Sequence, residues 1–141
     1  MNDEIFLTSF GFGHGTPPPA EHIFDLRDAL HNPHHDPAMR TKTGLDPDVR
    51  AHVLSTPGAL AFGELMIRVV TDEDALTVAI GGVGGRHRSV ALAQHVAERL
   101  ASLNYEVQVV HRDVDKPLLP SRAHQAGMNC AADASGARDG L

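Results

Sequence analysis

Cysteine is almost absent, with Cys130 the one thiol in 141 residues. A disulfide framework within the chain is therefore excluded, and a reducing compartment, the cytoplasm, is expected. Tryptophan is missing and aromatics make up only 4%, so the core has to be built from Val, Leu, Ile and Ala. No apolar run approaches the ~20 residues of a membrane span, and MNDEIFLTSF lacks the basic and apolar regions of a signal peptide. No membrane contact is expected. Lysine is scarce as well: Lys42 and Lys116 are the only two among 12 basic residues. The net charge of −6 argues against a general polyanion binder, so any nucleic-acid contact needs a local patch. With 42% apolar residues over 141 positions, the chain has enough for one core and too little for two ordinary domains.

Against these absences one stretch is rich. Gly81-Gly82-Val83-Gly84-Gly85-Arg86-His87-Arg88-Ser89 follows the apolar Leu76–Ile80 and opens a helical pattern running to Leu103. A strand, a glycine turn and a helix start make an anion site, because closely spaced N–H groups and the positive end of the helix dipole point at one spot. Arg86 and Arg88 add charge that grips phosphate oxygens in pairs. The loop is not a Walker A loop: Ile80 stands where its first glycine belongs and Arg86 where its lysine does. It is not the dinucleotide fingerprint either, since His87 takes the third glycine. The Cys-x5-Arg cradle of thiol-dependent phosphatases fits at Arg88 and Ser89, but Gly82 replaces the nucleophile. Holding a phosphorylated small molecule without turnover is the reading, with no catalytic residue, no cofactor and no metal.

The remaining elements fall into an α/β order. Ile5–Phe10 reads as a strand and His22–Arg27 as a second, with Ile23, Asp25 and Arg27 on one side. Residues 31–45 are a long irregular segment. Asp46-Pro47 caps a helix reaching Leu54; the next starts near Ser55 or Thr56 and buries Phe62, Leu65, Met66, Val69 and Val70. Leu76–Gly81 is a strand covered on both faces. Ser89 caps a helix with Val90, Ala93, Val96 or Ala97, Leu100 and Leu103 inward, ended by Asn104. Glu106–His111 closes a right-handed β-α-β unit. The expected fold is a single three-layer-like α/β domain over residues 1–115, with a mostly parallel sheet of about four strands and flanking helices. A disordered tail is expected over 116–141. In such a sheet the loop, Asp25 with Arg27, and His111 with Arg112 all reach the carboxyl edge, where ligands bind.

Ten histidines raise a metal reading, with His31, His34, His35 and Asp36 clustered and His14 and His22 nearby. Prolines separate them and no helical pair presents two imidazoles together, so a loop role is preferred. Asp25 with Arg27 equally suits a plain ion pair.

The blocks SFGFGHGTPPPAEHIFDLRDALHNPHHDP, TGLDPDVRAHVLS, LTVAIGGVGGRHRSVALAQHVAERL and VVHRD, in that order over residues 4–115, resemble the C-terminal domain of the RapZ family of RNase adapter proteins. The family's N-terminal kinase-like domain has no counterpart here, and its usual GCTGG loop reads Gly81-Gly82-Val83-Gly84-Gly85. The resemblance implies binding of a phosphosugar, glucosamine-6-phosphate, contact with small RNA, and self-association. Carried over residue by residue, the ligand set is Asp25, Arg27, Gly84, Gly85, His87, Arg88 and Ser89. Arg86 joins it as the loop's other arginine, and His111 and Arg112 are candidate ligand or RNA contacts. An RNA-binding adapter and a phosphatase or sugar-phosphate isomerase using His87 and Asp25 stand as the rival functions.

Overall fold

A computed structural model describes residues 4–29 and 36–119. The elements run β1 (Glu4–Gly11), a 3-10 turn (Phe12–His14), β2 (His22–Asp25), α1 (Pro47–Leu54), α2 (Ala59–Asp72), β3 (Thr77–Gly82), α3 (Arg88–Ser102) and β4 (Glu106–His111). The strands form one four-stranded sheet in the order β2-β3-β1-β4, parallel throughout. The α/β class and the four parallel strands are as the sequence predicts. β3, α3 and β4 form the expected crossover, but β1 lies between its two strands.

Alternation decides which faces are buried. Ile5, Leu7 and Ser9 of β1 and Val78 and Ile80 of β3 point to the helices, where they meet Met66, Ile67, Val70, Leu92, Val96 and Leu100. Phe24 of β2 packs edge-on to Phe62 of α2 at 6.4 Å between ring centroids. α1 adds a small second core of Val49 and Val53 against Ala91. α2 and α3 thus cover one face of the sheet, and α1 packs on α3. On the other face, Phe6 is 46% exposed, Ile23 46% and Val110 54%. β3 still reads as uniformly buried because it is an inner strand and its outward residues, Ala79 and Gly81, are small.

Local signals set the element ends with three corrections. Asp46 takes the N-cap position before Pro47 as expected, but its side chain makes no capping hydrogen bond; its Oδ2 instead accepts the Thr43 N–H at 2.8 Å. α2 begins at Ala59 behind Gly58, later than predicted, and buries Ala59, Gly63, Met66, Ile67 and Val70. Leu65 is left exposed, because packing against α3 rotates the inward stripe by one position. α3 begins at Arg88, so Ser89 sits within its first turn instead of capping it. Leu103 lies just past α3 and is exposed, and Asn104 leaves the helix with φ 72°. No single helix among the described residues is long and apolar enough to cross a membrane.

Candidate functional site

Because all four strands are parallel, Gly11, Asp25, Gly82 and His111 end at one edge, with Gly11 paired directly to Gly82. From Gly82 the chain turns through Val83–His87 into α3. The turn lies backbone on backbone against β1: a Cβ at Gly11 would fall 2.3 Å from the Gly84 carbonyl carbon, and one at Gly85 2.5 Å from the Gly11 nitrogen. Gly85 also takes φ 71°, the left-handed region where a side chain is strained. The Gly13 N–H donates to the Val83 carbonyl at 2.9 Å and fixes the near side.

Asp113 clasps this junction. It is wholly buried, and its Oδ2 accepts the Gly11 N–H at 2.8 Å. The Arg112 guanidinium grips the same carboxylate, and the Lys116 Nζ lies 2.6 Å from Oδ1. Burial pushes the Asp113 carboxyl up, but the hydrogen bonds from Arg112, Lys116 and Gly11 outweigh it and hold it below its ordinary value. It stays ionised, and the β4 end is tied to the β1 end.

Inside the turn lies a cavity of about 370 Å³ out to its open mouth, lined by residues 82–89 on one side and 116–119 on the other. Three properties suit an oxyanion. The N–H groups of Gly84 to Val90 donate to no acceptor among the described residues. Ser89 is wholly buried, and its Oγ has no hydrogen-bond partner. A Cβ at Gly82 would meet nothing nearer than 3.9 Å, so the missing side chain leaves room beside that hydroxyl.

Arg88 closes the cradle at the β2 side. It is 6% exposed, and its Nη1 donates to the carbonyls of Leu26, Arg27 and Ala29 at 2.9, 3.0 and 3.0 Å. Its Nε and Nη2 bond to nothing among the described residues, and no carboxylate forms an ion pair with it there. Burial lowers its pKa to about 10, against the opposing pull of Asp28 and Asp25. It is therefore a desolvated cation at neutral pH that lines the cavity, with Nη1 committed to backbone carbonyls.

The other expected ligand residues are placed differently. Arg86 edges the cavity but spends its guanidinium on the carbonyls of Lys42, Thr41 and Lys116 at 3.0, 2.6 and 3.1 Å. His87 is buried with Nε2 3.1 Å from the Arg40 carbonyl. Burial lowers its pKa to about 4, so it is neutral. Asp25 and Arg27 face each other in a bidentate pair, the shortest contact 2.7 Å, and Arg27 lies over the Phe12 ring at 3.8 Å. Burial raises the Asp25 carboxyl, but Arg27 outweighs it and holds it low. Neither side chain lines the cavity. His111 turns inward, with Nδ1 2.7 Å from Ser9 Oγ and Nε2 3.2 Å from Gln94 Oε1, and Arg112 is engaged with Asp113 and the Thr16 carbonyl.

Composition places 116–119 in the tail, yet these residues pack against the loop and wall the cavity. Their signal was the apolar Pro117-Leu118-Leu119 inside a polar stretch. Asp113 and Gly11 were also missed, although Asp113 follows a strand end at the ligand edge. The expected tail beyond 119 lies outside the described residues, as do His31, His34 and His35. Among the described residues no group of three or more His, Cys, Asp or Glu is placed to hold a metal ion.

The family model described as the RapZ C-terminal domain matches residues 3–115. A nucleotide-binding protein of Thermus thermophilus is 45% identical over 118 residues, which cover 78% of this chain and 42% of that protein. One from Sphingopyxis alaskensis is 38% identical over 142 residues, covering 92% and 43%. One from Rubrobacter xylanophilus is 42% identical over 124 residues, covering 79% and 40%. The chain spans less than half the length of these relatives.

Proposed function

The chain belongs to the RapZ C-terminal domain family, and on that premise we propose that it is a regulatory binding module that holds the phosphate end of a small molecule without turning it over. A phosphosugar such as glucosamine-6-phosphate is the ligand class. The observation that carries this reading is the Ser89 hydroxyl, fully buried and without a partner, beside the half-committed Arg88 guanidinium and a run of undonated N–H groups. A buried hydroxyl left unpaired costs roughly 1–3 kcal/mol, and a desolvated cation with no direct ion pair among the described residues is costly too. One phosphate oxygen array satisfies all of them.

Turnover is disfavoured by the same geometry. Gly82 supplies no nucleophile at the position from which a thiolate would attack. His87 is tied to the Arg40 carbonyl and Asp25 to Arg27, so neither is poised as an acid or base in the cavity. RNA is disfavoured as the primary ligand because Arg86 and Arg112, two of the three arginines at this edge with Arg88, donate within the molecule, and the net charge is −6. The relatives' shared name makes nucleotides the second ligand class to compare.

Isothermal titration tests the reading with inorganic phosphate, glucosamine-6-phosphate, glucosamine and AMP, with released phosphate assayed in parallel. Binding of the phosphosugar and of phosphate, none of glucosamine, and no phosphate release are expected. Equal binding of glucosamine, or release that scales with protein, would refute it.

A further inference from the structure

The segment after β4 does more than end the fold. Lys116 to Leu119 form the wall of the cavity opposite the glycine loop, and three attachments hold that wall. The Lys116 N–H donates to the Asp113 carbonyl at 3.1 Å, its Nζ pairs with the Asp113 carboxylate at 2.6 Å, and its carbonyl accepts from Arg86 Nη1 at 3.1 Å. The Leu119 side chain fills the space over Gly13 so closely that a Cβ there would fall 2.3 Å from Leu119 Cδ1. Arg86 is the shared member: the same guanidinium binds the Thr41 and Lys42 carbonyls, and its own carbonyl accepts the Gly44 N–H at 2.8 Å. One loop residue thereby fastens segments on both flanks of the cradle.

We propose that residues 116–119 are a strap that completes the binding site, and that Arg86 is a positioning residue that latches the strap to the loop instead of touching the ligand. This rests on the anion reading of the cradle. The two sides differ in chemistry: N–H groups, Ser89 and Arg88 on one, and Pro117, Leu118 and Leu119 on the other. The ligand class this fits has a compact anionic head and a body with an apolar face, as a phosphorylated sugar ring has. Docking of the strap and occupancy of the cradle are then linked, each favouring the other by the same factor.

The test uses the full chain with inorganic phosphate and glucosamine-6-phosphate as probes. Gly13→Ala makes the Leu119 side chain shift off Gly13, Leu119→Ala removes the strap's anchor, and Arg86→Lys keeps the charge but loses the three-way fork. Titration is expected to show each variant binding the phosphosugar about tenfold more weakly, with inorganic phosphate, which has no body to meet the wall, much less affected. Hydrogen exchange at the amides of Lys116, Leu118 and Leu119 should slow when the phosphosugar binds the unmodified chain. Wild-type phosphosugar affinity in both Gly13→Ala and Leu119→Ala, or no ligand-dependent protection at 116–119, overturns the strap while leaving the cradle standing. Failure of the unmodified chain to bind either probe removes both.

Discussion

Replacing Ser89 with alanine separates a ligand site from a packed helix start, because the two predict opposite signs. In the empty protein the hydroxyl is fully buried and unpaired. Deleting it removes a desolvation cost of roughly 1–3 kcal/mol. The alanine is also the better helix former by a few tenths of a kcal/mol or more. The exchange leaves a space of only one oxygen atom, so the gain is partly offset, and a net stabilisation of about 0.5–2 kcal/mol is expected. Near the midpoint of thermal unfolding that raises Tm by roughly 2–8 °C for a domain of this size. With ligand the effect reverses, since a hydroxyl donating to a charged phosphate oxygen contributes about 1.5–3 kcal/mol, and affinity should fall roughly 10–150-fold. Calorimetry without ligand and titration with glucosamine-6-phosphate read the two effects separately. A variant less stable than the parent when empty, with unaltered affinity, would refute the reasoning, because Ser89 would then be satisfied within the fold.

Arg88→Ala strips one buried and two partly buried carbonyls of their donor, so it should cost on the order of 2–4 kcal/mol in urea unfolding as well as binding; loss of binding with full stability would contradict this placement. His87 has its pKa lowered from 6.5 to about 4. The unfolded chain therefore takes up a proton that the folded one refuses, and stability is full above pH 6.5 and falls towards pH 4, by up to about 3 kcal/mol. His87→Gln, which keeps a donor for the Arg40 carbonyl, should flatten that part of the profile, and an unchanged slope would assign the acid sensitivity elsewhere. Gly82→Ala meets nothing nearer than 3.9 Å and should fold normally while its methyl weakens inorganic phosphate binding. Gly11→Ala, 2.3 Å from the Gly84 backbone, should lose about 2–4 kcal/mol of stability; similar melting temperatures for the two would show that the loop does not press on β1 as described.

Much of the fold was legible because it rests on short-range periodicity. Alternation in β2 puts Ile23 and Asp25 outward and Phe24 inward, and Pro47 marks the start of α1. The buried stripe of α2 lies one position off the one its apolar spacing predicts, and Ser89 lies inside α3 instead of capping it. In both cases apolar spacing fixes that a helix exists, while the rotation of its face depends on the neighbour it packs against. The second sheet face, taken as covered, is open over Phe6, Ile23 and Val110, since an inner strand with small outward residues looks buried from either arrangement.

Residue order alone determined the strand, the glycine turn and the helix start, and with them the cradle proposed to hold an anion at the carboxyl edge of a parallel sheet. Those features depend on backbone conformation and on neighbours a few positions apart. Only the tertiary structure decided which side chains enter the cradle. Arg86, Asp25 and Arg27 suit a ligand by type, yet they are turned to the Thr41 carbonyl and to each other. Ser89 is left unpaired inside, while Arg88 shares its fork with the carbonyl of Leu26, 62 positions away. The Asp113 clasp on Gly11 spans 102 positions. Contacts of that range follow from how strands and helices stack, and no spacing rule along the chain encodes them.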